Sequence, residues 1–79
     1  MNKLFSYNIE KNANEKAFKR ACVLIESKIK DINDKTLLED VDGSQIQIYK
    51  TQRGKIKVYN DYEVDAVYVD SEVDLKNII

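Results

Sequence analysis

Six carboxylates stand in the fifteen residues 60–74, NDYEVDAVYVDSEVD: Asp61, Glu63, Asp65, Asp70, Glu72 and Asp74, with no Lys or Arg among them. Grouped carboxylates can do three kinds of chemistry. A desolvated pair exchanges protons, a convergent set holds a hard cation, and a solvent-facing row imitates a phosphate backbone. The rest of the chain supplies little for the first two. With no His and one Cys, it has neither an ordinary zinc ligand set nor a Cys–His nucleophile pair. Its two glycines, Gly43 and Gly54, leave no glycine-rich phosphate loop. The segment DVDGS (40–44) resembles the start of a calcium loop but lacks the remaining ligands and the distal Glu, so it reads as a turn. Glu39 and Asp40 are adjacent carboxylates with nothing around them to form a desolvated cleft. Cys22 falls on an apolar helical stripe and reads as a small core residue rather than a reactive thiol. The expectation is a protein that is not an enzyme and carries no cofactor and no metal.

The formal charge of −1 conceals a gradient. Residues 1–36 carry eight bases and five acids, a net of +3, whereas residues 60–79 carry one base and six acids, a net of −5. Lys outnumbers Arg eleven to two, Asn occurs seven times and Ile nine times, an A/T-rich codon style common among phages and mobile elements. The sequence contains no apolar run near the 18 residues of a membrane span and no secretory signal pattern at its start. A lone cysteine suits a reducing compartment, so the expected location is the cytoplasm, away from any membrane.

The elements that must position these groups follow from periodicity. Phe18, Cys22, Ile25, Ile29 and Ile32 recur at three- and four-residue steps, predicting a helix over 13–32. Asn12 is its expected N-cap, with Glu15 as the capping-box partner. Lys16, Lys19, Arg20 and Lys30 fall on the side away from this stripe, giving a basic outer face. Ser44–Thr51 and Lys55–Asn60 alternate as strands, joined by Gln52-Arg53-Gly54. Pairing Thr51 with Lys55, and then Tyr59 with Glu63 across a loop at 60–62, gathers apolar residues on one face. That expected inner face is Ile46, Ile48, Ile56, Val58, Val64 and Ala66. The outer face is then Gln47, Tyr49, Lys57, Tyr59, Glu63 and Asp65, with Lys57 opposite Asp65. Thr36–Val41 reads as a further strand turned by Asp42-Gly43, or alternatively as one capped helical turn; the strand is favoured. Leu4–Ile9 adds an edge strand, and SEVDLKNII (71–79) reads as a short C-terminal helix capped by Ser71, or as a turn.

The expected fold is a single α+β domain over residues 1–79, in two layers. One main helix packs on an antiparallel meander of three to five strands in the order β-α-β-β-β(-β). Within 60–74 the acids change parity, and one β-bulge near Ala66 would return them to a single face, about 6.6 Å apart along the strand. Tyr59, Glu63, Asp65, Tyr68 and Asp70 would then form a partner-binding face. The functional expectation is a small protein-binding module, in its concrete form a phage or mobile-element inhibitor. It would mimic nucleic acid and occupy a basic protein surface. One alternative is a nucleic-acid binder using Lys16, Lys19, Arg20 and Lys30, although the slightly negative net charge argues against direct nucleic-acid contact. Another is an immunity-type or assembly protein, such as a homodimer, pairing through a sheet edge.

Overall fold

The computed structural model describes residues 4–79; Lys3, which enters the charge count above, lies outside the described residues. The order of elements is β1 (Phe5–Glu10), α1 (Glu15–Lys28), β2 (Ile32–Glu39), β3 (Gln45–Thr51), β4 (Gly54–Asp61) and β5 (Ala66–Ser71). The strands form one antiparallel sheet in the order β1-β5-β4-β3-β2. It is a two-layer α+β fold with one helix on five strands. The segment 36–39 is therefore strand rather than helical turn, and that strand starts four residues earlier and ends two residues sooner than expected.

Helix α1 is shorter than its apolar period suggests. Asn14, not Asn12, caps it: the Asn14 side chain accepts the Ala17 N–H at 2.7 Å. Asn12 instead donates to Asp65, so the Asn12–Glu15 box does not form and Glu15 pairs with Lys19 at 3.0 Å. At the other end Ile29 turns to extended backbone yet remains buried. Ile32 opens β2 and packs on the core from there. The helical spacing of Ile29 and Ile32 thus reflects core burial from a non-helical backbone, which periodicity alone cannot distinguish.

The β3–β4 register differs by one residue from the expected one. Thr51 pairs with Gly54 across a two-residue turn at Gln52-Arg53. The Thr51 hydroxyl closes that turn, accepting the Arg53 and Gly54 N–H groups and donating to the Gly54 carbonyl. Gly54 has φ +145°, and a Cβ there would stand 2.7 Å from the Glu72 Cβ, so only glycine fits. A one-residue slip turns every side chain of β3 over. Tyr49 consequently points to the helix and is fully buried, while Ile46 and Ile48 face the opposite side with Lys57 and Tyr59. The energetic reason is Tyr49: its ring fills the core, and its hydroxyl donates to Glu26 at 2.6 Å and reaches the Cys22 carbonyl at 3.4 Å.

The next turn departs further. Asp61 pairs with Ala66 and residues 62–65 form the turn, so Val67 and Val69 enter the core in place of Val64 and Ala66. Lys57 lies opposite Asp70 rather than Asp65. No bulge occurs near Ala66; the turn absorbs the parity change, and the two irregularities in the ladder lie at Asn8/Glu10 and Ile32/Asp34. Beyond β5, residues 72–79 form bends and a turn, the second of the two forms expected there. The Ser71 hydroxyl, fully buried, accepts the Val73 N–H and donates to the Val73 carbonyl, which diverts the chain before a helix can start. Val73 and Leu75 still reach the core, with Ile78 and Ile79 packed beside them. Ile25, Tyr49, Ile56, Val58, Val67, Val69 and Leu75 make its fully buried centre. No described helix is long and apolar enough to cross a membrane.

Candidate binding face

The helix packs on one side of the sheet, contacting β4 and β1 with β5 between them. Among the described residues the other side carries no second layer. On it, β3 presents Ile46 and Ile48, β4 presents Lys57 and Tyr59, and β5 presents Tyr68 and Asp70, all half-buried. The alternating pleat places them together because Tyr59 lies directly opposite both Ile46 and Tyr68. The Tyr59 and Tyr68 rings stack with centroids 4.6 Å apart and planes 12° from parallel. Tyr68 donates to the Asp61 carboxylate at 3.2 Å, and Ser6 donates to Asp70 at 2.9 Å. Burial, with the hydrogen bond to Asp61, pushes the Tyr68 phenol up to about 12. Burial, with the charges of Asp70 and Asp61, also raises the Tyr59 phenol.

Tyr59 separates two hollows. One, of about 340 Å³, is lined by Leu38, Ile46 and Tyr59 and by five carboxylates, Glu39, Asp40, Asp42, Asp61 and Glu63, with no basic residue. The β2–β3 turn and the β4–β5 turn meet there: the Tyr62 N–H donates to the Ser44 hydroxyl, and the Tyr62 ring lies beside Gly43. Gly43, at φ +90°, allows the tight hairpin in which the Asp40 N–H bonds the Ser44 carbonyl. Gln45 and Asn60 add a polar ladder, in which Asn60 donates to Gln45 and Gln45 to Glu39, each at 3.3 Å. The Asn60 Oδ1 is buried without a hydrogen-bond partner. The second hollow, about 380 Å³, mixes signs, with Lys55, Lys57, Asp70 and Glu72 beside Leu4 and Tyr59. No group of three or more metal-ligating side chains converges among the described residues.

Of the five residues expected to form a binding face, Tyr59, Tyr68 and Asp70 share the open side of the sheet. Glu63 lies in the turn that rims the acidic hollow. Asp65 does not belong. It adopts a left-handed backbone, φ 59°, and its carboxylate accepts the Ala13 N–H and the Asn12 amide, each at 2.9 Å. It fastens the β4–β5 turn to the start of the helix, and those two bonds hold its carboxyl below the usual range. Nor do the six acids form one row. Glu72 accepts the Lys55 N–H beside Gly54, and Asp74 accepts the Tyr7 hydroxyl and the Lys76 backbone N–H. Sequence reasoning missed Leu38, Ile46, Asp40, Asp42 and Asp61 as neighbours. The size of Tyr49 was the one available signal that β3 turns the other way.

The alternative basic set is dispersed. Lys16, Lys19 and Arg20 are exposed on α1, with Lys19 paired to Glu15. Lys30 lies beyond the helix end and donates to the Ser27 carbonyl. Cys22 is buried and free, and burial pushes its thiol up, away from thiolate chemistry.

Glu26 is held below its ordinary value by the Tyr49 hydroxyl, Asp31 by Arg53, Asp42 by the Ser44 N–H and Asp65 by the Ala13 N–H. A carboxyl lowered in the folded state stabilises fully above its unfolded value and loses that contribution as pH falls through the folded one. Thermal melts should therefore vary little between about pH 5 and 8, and drop as pH falls below about 4. Asp65→Asn should flatten the acid limb, and Asp65→Ala should destabilise at neutral pH. An acid limb unchanged by Asp65→Asn would contradict this reading.

Comparison with known proteins found no matching family model, no matching curated protein and no matching solved structure.

Proposed function

We propose that this chain is a non-enzymatic protein-binding module whose open sheet face docks on a basic protein surface. The stacked Tyr59–Tyr68 pair carries the reading: two neutral aromatic rings lie on the uncovered side, flanked by Ile46 and Ile48 and ending at five unbalanced carboxylates. Aromatic anchors with a polar rim are the usual composition of interface centres. The acidic hollow suits a Lys or Arg side chain of the partner, with Tyr59 supplying a ring face and the carboxylates supplying charge. The earlier picture of a carboxylate row mimicking phosphate is narrowed to this hollow, since Asp65, Glu72 and Asp74 are occupied within the chain. A nucleic-acid-processing protein remains the natural basic partner within this reading. The buried free thiol of Cys22 suits a reducing cytoplasm.

Immobilised protein and lysate at low and high salt test the proposal. Wild type should retain a basic protein at low salt and release it at high salt, because charge steering is screened. Tyr59→Ala should weaken the isolated complex by about 30-fold, the size of a hot-spot loss of roughly 2 kcal/mol. Glu63→Gln should act mainly on the association rate and its salt dependence. Equal retention by wild type and Tyr59→Ala would overturn the assignment.

A further inference from the structure

The sheet has two edges of different character. Strand β1 has six residues and is interrupted at Asn8/Glu10. Strand β2 has eight residues, is irregular only at Ile32/Asp34, and is exposed at every position from Asn33 to Glu39. Leu37 and Leu38 lie on opposite faces and are 48% and 49% exposed. The side chains of Lys35, Leu37 and Glu39 share the helix side of the sheet, opposite Tyr49, Gln47 and Gln45. Because the Asp40 N–H bonds the Ser44 carbonyl, antiparallel alternation directs the backbone groups of Leu38 and Thr36 toward β3. Those of Lys35, Leu37 and Glu39 point away from the sheet. Such an edge is a template for another strand.

We infer that β2 pairs antiparallel with β2 of a second copy, about a twofold axis at Leu37. Charge complementarity selects both occupant and register. With Leu37 opposite Leu37, Lys35 of each copy faces Glu39 of the other, giving two cross-chain ion pairs, and Thr36 faces Leu38 on the open side. The outward N–H and C=O groups of Lys35, Leu37 and Glu39 meet their counterparts in the same register. A shift of two residues one way places Lys35 against Leu37, and a further shift places Lys35 against Lys35. A shift the other way sets Leu37 against Glu39. Lys35 already pairs with Glu26 at 3.2 Å within its own chain, so Glu39 of the second copy shares that ammonium with Glu26. The product is a ten-stranded sheet with both helices on one side and both open faces on the other.

Sedimentation equilibrium of the full chain should give twice the 9.2 kDa chain mass, and amide exchange at residues 35, 37 and 39 should slow with rising concentration. Leu37→Pro removes an N–H that β3 does not use, so it should give a monomer with an unchanged far-UV spectrum. Lys35→Glu should weaken the dimer by about tenfold or more, and adding Glu39→Lys should restore it. A wild type that stays monomeric, or a dimer indifferent to both Leu37→Pro and Lys35→Glu, overturns the inference. The readout needs no other protein, so its failure would leave the binding-face proposal standing.

Discussion

Tyr49→Ala should leave this domain largely unfolded at room temperature. Tyr49 is fully buried at the junction of β3, β4 and α1, opposite Ile56. Truncating a buried aromatic costs about 3–5 kcal/mol through lost transfer energy and the cavity left behind. A domain of this length draws about 3–5 kcal/mol of net stability from its one core, so the loss takes most or all of it. Far-UV circular dichroism and denaturant titration check the result. Tyr49→Phe separates the ring from its hydroxyl. It keeps the volume but leaves Glu26 without its 2.6 Å donor. It should cost about 1 kcal/mol and reduce the contribution of Glu26 to the acid limb, because the Tyr49 bond is the main influence lowering that carboxyl. A Tyr49→Ala protein with wild-type stability would mean that β3 faces the other way.

Leu75→Ala should destabilise by about 2–5 kcal/mol, an effect large for a residue outside every helix and strand. Leu75 is fully buried, and its N–H donates to the Tyr7 phenol oxygen at 2.7 Å while that phenol donates to Asp74. The segment after β5 is thereby tied to β1, the first described strand. Because Tyr7 is the shared partner, Tyr7→Phe should reproduce part of the loss, and the double variant should cost less than the sum. Urea unfolding of the three variants measures this coupling. Full additivity would show that the packing of Leu75 does not depend on the Tyr7 hydrogen bonds.

The layer structure was legible in the sequence because it rests on strong periodic signals. Phe18, Cys22 and Ile25 mark the buried helix stripe, and Ile56 and Val58 mark β4 on its core side. Register was not legible, for identifiable reasons. In QIQIYKT both parities carry apolar residues, and counting favours the two isoleucines. Volume and a buried hydroxyl contact favour Tyr49, and these are tertiary effects invisible to a pattern. The turn at 62–65 hides in a similar way, since Asp61 accepting the Glu63 and Val64 N–H groups reads in sequence like one more alternating acid. The site suffered most from this. Tyr59 and Tyr68 were identified from composition, but their stacking and the hollow beside Tyr59 follow from a register that the chain alone did not reveal.

The central claim is that the uncovered side of the sheet receives a basic protein. Hydroxyl-radical footprinting of the purified complex tests it directly, with free protein as reference. Protection concentrated at Tyr59, Tyr68, Ile46 and Ile48, with Val23 on the outer side of α1 modified equally in both samples, is the expected result. Protection at Val23 and the exposed helix surface, with the two stacked tyrosines unchanged, would contradict it.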